Sequence, residues 1–330
     1  MYILHGFDPS PYSVKMRAIM RYRRLPFVWK AQGNPRDEAV AAGLPPVIPV
    51  LRFPDGRMMN DSTPLAYALE REHAERSIVP DDPMLAYLSD LLEDFGDEWV
   101  TKMMFHYRWY YAADRAFAQT WIITSRDPVM PADARREGMR AFNDRQVGRM
   151  ALVGCTEQNR PVIEDSYRFV LDTLDRHVRR IPFLFGSRPS LADFGLYGQL
   201  QILSVDPTPM AEMRARAADV YCWLLRLDDA SGIEGEWLDG KAELPETLVA
   251  LLKHCGETYL PFLAANMRAL RDQAATFELD ILGRRYSQAP FRYQGKCYDA
   301  LCKKLAALPR AVRVRLDPAL EEAHCLSWLA

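Results

Sequence analysis

Cysteine is scarce and poorly placed for staples or metal: six occur in 330 residues, at 155, 222, 255, 297, 302 and 325. No pair has CxxC spacing, and no Cys/His cluster has the ligand spacing of a zinc site, so no metal is expected. Scattered thiols in a chain this size suit a reducing compartment and not a disulfide framework. Long apolar runs are also missing. No stretch reaches ~18 apolar residues, which speaks against a membrane span. The start, Met1-Tyr2-Ile3-Leu4-His5, has neither a basic stretch nor a long apolar one, and the expectation is a cytoplasmic protein. Neither sign of charge dominates. The net charge of -2 gives no reason to expect a nucleic-acid surface, and Arg17 to Arg24 and Arg284-Arg285 read as solvated faces. There is no G-x-S-x-G motif, no phosphate-binding loop, no internal repeat and no low-complexity tract, so a hydrolase is a distant option.

What is present is the balance of a globular protein, 49% hydrophobic and 26% charged, in a chain long enough for two domains. Tyr2 to His5 reads as a strand closed by Gly6, Asp8 and Pro9. From Ser13 to Arg23, Val14, Met16, Ile19 and Met20 recur at helical spacing. Pro26 to Trp29 reads as a second strand, and Pro35 to Ala42 as a short helix or loop. Val47 to Phe53 is a third strand, Asp55-Gly56 a hairpin turn and Arg57 to Asn60 a fourth strand. Ser62 to Arg71 then reads as a helix capped by Ser62 with Pro64 in its first turn. Pro49 is out of place in a ladder, which leaves an edge strand or a cis bond.

Ile78 to Pro83 is a polar connector, and the remainder is mostly helical. Leu88, Leu92, Phe95, Trp99, Met103, His106 and Tyr110 fall on one face of a long helix. His106 reads as a satisfied helical histidine and not a base. Pro131 to Val147 and Pro161 to Arg180 read as further helices. Ser190 and Asp193 have the spacing of a capping box, a structural role. Beyond residue 230, Pro245 to Arg271 reads as helix. Thr276 to Ile281 alternates like a strand that Phe291 to Tyr293 could pair with, and helices over 298–308 and 318–329 follow.

Taken in order, the strand-Ser10-Pro11-Tyr12-Ser13-helix segment, Ile48-Pro49, Asp61-Ser62 and Ser190-Leu191-Ala192-Asp193 resemble the cytosolic glutathione transferase superfamily over roughly residues 1 to 230. The resemblance implies an α/β thioredoxin-like N-terminal domain (1–77) and an all-α C-terminal domain (84–230); it does not account for the extension (231–330), whose own residues read as mostly helical with a short strand pair. It implies a homodimer that takes glutathione and a small hydrophobic electrophile. Ser10 would face the glutathione sulfur, with Ser13 second and Tyr12 third as donors. A hydroxyl hydrogen bond and the positive end of a helix both favour the thiolate, together by roughly one pKa unit. A cap for the first helix is the plainer role of Ser10. Without cysteine at 10 or 13, dithiol exchange should be poor. By the same resemblance Pro49 is cis, leaving the Ile48 backbone to pair with the tripeptide. Asp61 would meet the γ-glutamyl ammonium, and Ser62 at a helix N-terminus its carboxylate. An Asp-Ser helix cap would need no ligand.

Where many members carry Gln or Lys before the proline, this chain has Val47, so Lys30, Gln32 or Arg36 would have to replace a contact to the glycyl carboxylate. Phe7, Tyr107 and Tyr110 are the residues expected to line the electrophile pocket, although aromatics at helical spacing are more often core. The expected activity is thiol activation for attack on a hydrophobic electrophile. The alternative is a binding or scaffold protein that keeps the fold without turnover.

Overall fold

The computed structural model describes residues 1–330. A four-stranded sheet forms the first layer, built from β1 (Tyr2–His5), β2 (Phe27–Lys30), β3 (Val50–Arg52) and β4 (Met58–Asn60) in the order β2-β1-β3-β4. β1 runs parallel to β2 through the crossover helix α1 (Pro11–Tyr22), and β3 and β4 are antiparallel to their neighbours. Helices α2 (Pro35–Ala41) and α3 (Ser62–Glu72) complete this thioredoxin-like layer. The cap of α3 is Asp61, at φ +74, one residue earlier than the predicted Ser62.

Sixteen helices make up most of the chain, and no helix is long and apolar enough to cross a membrane. The helical layer opens with α4 (Pro83–Phe95), a π turn over Gly96–Val100, and α5 (Thr101–Tyr110). There follow α6 (Ala112–Arg126), α7 (Ala132–Val147), α8 (Arg160–Val178), α9 (Leu191–Leu203), α10 (Pro207–Arg216) and α11 (Ala218–Asp228). The capping box forms as its spacing predicts: Ser190 accepts from the Asp193 amide at 3.4 Å, while Asp193 accepts from the Ser190 amide at 2.8 Å. α9 is the keystone between layers. A Cβ at Gly198 would lie 2.8 Å from the Pro11 carbonyl, and one at Gly195 3.0 Å from Glu93 Cα. Only glycine lets α9 approach both α1 and α4 this closely.

Residues beyond 230 join the same apolar core. They form α12 (Glu246–His254), a π turn over Cys255–Tyr259, α13 (Leu260–Arg271), the hairpin β5 (Phe277–Ile281) and β6 (Arg284–Gln288), then α14 (Arg292–Ala307), α15 (Arg310–Glu322) and α16 (Leu326–Leu329). Leu301, Leu316 and Leu320 are buried in one cluster with Leu85, Leu88 and Ile19. The strand partner predicted at Phe291 to Tyr293 is corrected to Arg284–Gln288. Leu282 and Gly283, at φ +53 and +70, make the two-residue turn that returns the chain directly. Phe291 is instead held by the buried Asn266, whose amide oxygen accepts from its N–H at 2.7 Å and whose NH2 donates to its carbonyl at 3.1 Å.

Candidate functional site

Where β1 gives way to α1 the chain passes Gly6, at which a Cβ would lie 2.6 Å from the Trp29 ring. Phe7 and Ser10 follow on the wall of a cavity of about 530 Å³. Ser10 is the N-cap of α1, with its Oγ 3.4 Å from the Ser13 amide that donates to it and Pro11 in the first turn. As an acceptor in the cap it keeps its own O–H proton free to donate. Ser13 is fully buried, its hydroxyl has no partner, and it does not line the cavity. Tyr12 does line it, but its hydroxyl is committed to the Asp97 carbonyl at 3.0 Å, with Thr101 Oγ1 at 3.4 Å. Burial holds that phenol well above its usual range.

The Ile48-Pro49 bond is cis. Ile48, Val47, Tyr12 and Thr101 form the partition between this cavity and a second of about 350 Å³, into which Asp61 and Ser62 open. Ser10 and the Asp61-Ser62 pair therefore lie on adjoining chambers with a shared wall. Of the three residues expected to make up for Val47, only Arg36 reaches a chamber. Lys30 is drawn off to Glu38 at 3.3 Å.

The second chamber is acidic. Asp94, Asp97 and Glu98 line it beside Asp61, and burial pushes their carboxyls up to about 7, 7 and 8. Burial also brings the Lys102 ammonium, 2.8 Å from Gln288 Oε1, down to about 8. Lys15 on α1, fully enclosed, donates to Glu93 Oε1 at 2.5 Å and Asp97 Oδ2 at 2.7 Å, and those carboxylates hold its charge. Ser62 Oγ at 3.4 Å and Thr63 Oγ1 at 2.6 Å bond to the same two carboxylates, so one buried cluster joins α1, α3 and α4. Asp61 itself accepts from the Tyr293 hydroxyl at 3.0 Å, and with Phe291 and Gln294 this part of the extension roofs the chamber.

Two pocket residues need correcting. Tyr107 is buried and donates to Glu212 Oε2 at 2.9 Å, and Tyr110 stacks on His106 and donates to Glu157 Oε2 at 2.5 Å; neither lines a chamber. The aromatic seam of α5 packs toward α8, where His106 Nε2 lies 3.0 Å from Glu164 Oε1. The opposite face, Thr101, Met104, Phe105 and Arg108, meets the larger chamber. Arg108 was missed by sequence reasoning. Its Nε donates to Asp206 Oδ2 at 2.7 Å and its Nη1 to the Pro9 carbonyl at 2.9 Å, fixing the loop that presents Ser10. A lone arginine in an aromatic run carries no sequence signal for this role. Arg126, Arg145 and Arg149, which share the larger chamber, were missed because only the packing of α6 and α7 brings them together.

Residues 4–77 match the family model for the glutathione S-transferase N-terminal domain. No curated protein matches the sequence. Among similar solved structures is a glutathione S-transferase from Rhodospirillum rubrum F11, 15% identical over 76% of this chain and 92% of that one, with a TM-score of 0.44. The beta-etherase LigF from Sphingobium sp. strain SYK-6 is 17% identical over 69% and 94%, with a TM-score of 0.47. A glutathione S-transferase from Methylobacterium radiotolerans, solved in complex with glutathione sulfonate, is 19% identical over 74% and 99%, with a TM-score of 0.40.

Proposed function

We propose, for a chain whose first domain is of the glutathione S-transferase family, that the two chambers hold glutathione and a small hydrophobic electrophile. The observation that carries this reading is Ser10, placed at the cap of α1 on the wall of the larger chamber with a proton free to donate. The thiol would lie against that hydroxyl and the positive end of α1, which together favour the thiolate by about one pKa unit. Its proton passes to water, the C–S bond forms at the electrophilic carbon, and the leaving group departs with its electron pair. Asp61, within its acidic surroundings, suits the γ-glutamyl ammonium, and Ser62 at the start of α3 the adjacent carboxylate. Arg36 is the cation available to the glycyl carboxylate. A cytoplasmic homodimer completes the reading.

A second reading, a binding or scaffold protein without turnover, is favoured by one contact: Tyr293 already occupies Asp61. Calorimetric titration with glutathione and turnover of an activated aryl halide separate the two. The transferase reading expects millimolar or tighter binding, weakened in Ser62→Ala, and a roughly five- to tenfold lower kcat/KM in Ser10→Ala, the worth of one hydrogen bond. Binding without turnover selects the scaffold. Neither heat nor turnover defeats both.

A further inference from the structure

The far wall of the larger chamber holds four arginines that make no ion pair. Arg36 comes from α2, Arg126 from the last turn of α6, Arg145 from α7 and Arg149 from just beyond it. Arginines elsewhere are either matched, as Arg17 is with Asp8 and Asp228, or exposed to solvent without a carboxylate partner, as Arg52, Arg71 and Arg310 are; the chamber differs in gathering four unmatched ones on one wall. The fifth arginine of the chamber, Arg108, is neutralised by Asp206. In an otherwise near-neutral chain, then, unmatched positive charge is gathered in one concavity.

Two further observations point to a missing counter-charge. The Nε of Arg126 is buried without a partner, and its guanidinium lies 5.5 Å from the centre of the Phe7 ring and 5.1 Å from that of Phe142. Burial and the neighbouring guanidinium groups also hold Arg36 and Arg126 below the ordinary arginine range, with Asp37 alone opposing at Arg126. Between the charges the lining is aromatic and aliphatic, with Phe105, Trp109 and Ile122 beside those two rings. Planar cations above an aromatic floor recognise a flat ring that carries oxyanions. The volume, about 530 Å³, is that of a small-molecule site.

We propose that this chamber binds a small aromatic ligand bearing anionic groups (carboxylate, sulfonate or phosphate), held by Arg126, Arg145 and Arg149 above the Phe7 and Phe142 rings, with Arg36 left to the glycyl carboxylate. The binding stands on the chamber alone. Its identification with the second substrate of the transferase rests on the reading above, and narrows that substrate from any hydrophobic electrophile to an anionic one.

The test is calorimetric titration of the full chain with naphthalene-1,5-disulfonate and with the neutral naphthalene-1,5-diol, each with and without saturating glutathione. The disulfonate should bind at least about tenfold tighter than the diol and weaken as salt is raised. The double variant Arg145→Gln/Arg149→Gln, whose side chains are exposed and whose folding is checked by circular dichroism, should lose roughly tenfold for the disulfonate. Equal affinity for the diol, or an unchanged double variant, overturns the proposal. So does loss of disulfonate binding under glutathione, which would hand the arginines to the tripeptide. Disulfonate binding in a protein that gives no heat with glutathione supports the site while the transferase reading fails. The reverse pattern removes the site and leaves the transferase.

Discussion

Replacing Lys15 by methionine keeps most of the length of the side chain and removes the one charge that faces both Glu93 and Asp97. Its side chain is 0% exposed, and those of its partners are only 4% and 10% exposed, so water cannot take its place. Two buried carboxylates cannot both stay ionised without it. Asp97 is already held up to about 7 with the lysine in place, so the added cost falls on the other carboxyl of the pair, which must then take up a proton at a pKa far above the unfolded value near ~4. A group raised on folding is harmless below that unfolded value and costs stability progressively as the pH climbs toward the folded pKa. At 1.36 kcal/mol per unit, the variant should lose about 4 kcal/mol near pH ~7 but only about 1 kcal/mol near pH ~5. The neutral-pH figure agrees with the roughly 3–5 kcal/mol typical of a buried ion pair that loses one partner. Urea unfolding of both proteins, followed by tryptophan fluorescence at the two pH values, reads the difference directly. A gap that is the same at both pH values, or smaller than about 1 kcal/mol at neutral pH, would refute the account of Lys15 as the neutralising centre.

Tyr293→Phe frees Asp61 from a half-exposed contact worth about 0.5–1 kcal/mol, and glutathione should bind about two- to fivefold tighter by calorimetry; weaker binding would make Tyr293 a ligand of the tripeptide and not its competitor. Asp206→Asn leaves the buried Arg108 uncompensated and should cost about 3 kcal/mol in chemical unfolding, with an added loss of kcat if Pro9 and Ser10 lose their anchor; an unchanged unfolding midpoint would show that Arg108 holds nothing.

What could be read from the chain was local. The alternation of strand and helix through residue 72 and the Ser190-Asp193 box each depend on residues close in sequence, and each is present; the cis bond at Ile48-Pro49, which the residues alone left open against an edge strand, was implied by the resemblance and is present too. The strand over Phe277–Ile281 was legible from its alternation, but its partner was misplaced because Leu282-Gly283 lacks the Asn or Asp that marks a two-residue turn. The side of α5 that meets the chamber was not legible. Both of its faces are rich in large side chains, and which one meets α8 is decided only when the helices pack. The arginines were hidden because α2, α6 and α7 bring together positions scattered from 36 to 149. Tyr293 is more remote still, reaching Asp61 across 232 residues.

That reach has a bearing on how the protein is made. On a ribosome the thioredoxin-like layer emerges well before Tyr293 and the leucines of α15 that pack with α4. Until then the nascent chain displays an uncovered apolar flank and an unroofed acidic chamber. The pocket is thus completed only once α14 has followed, and a message cut short after residue 230 would yield a sticky fragment, not a smaller version of the same molecule.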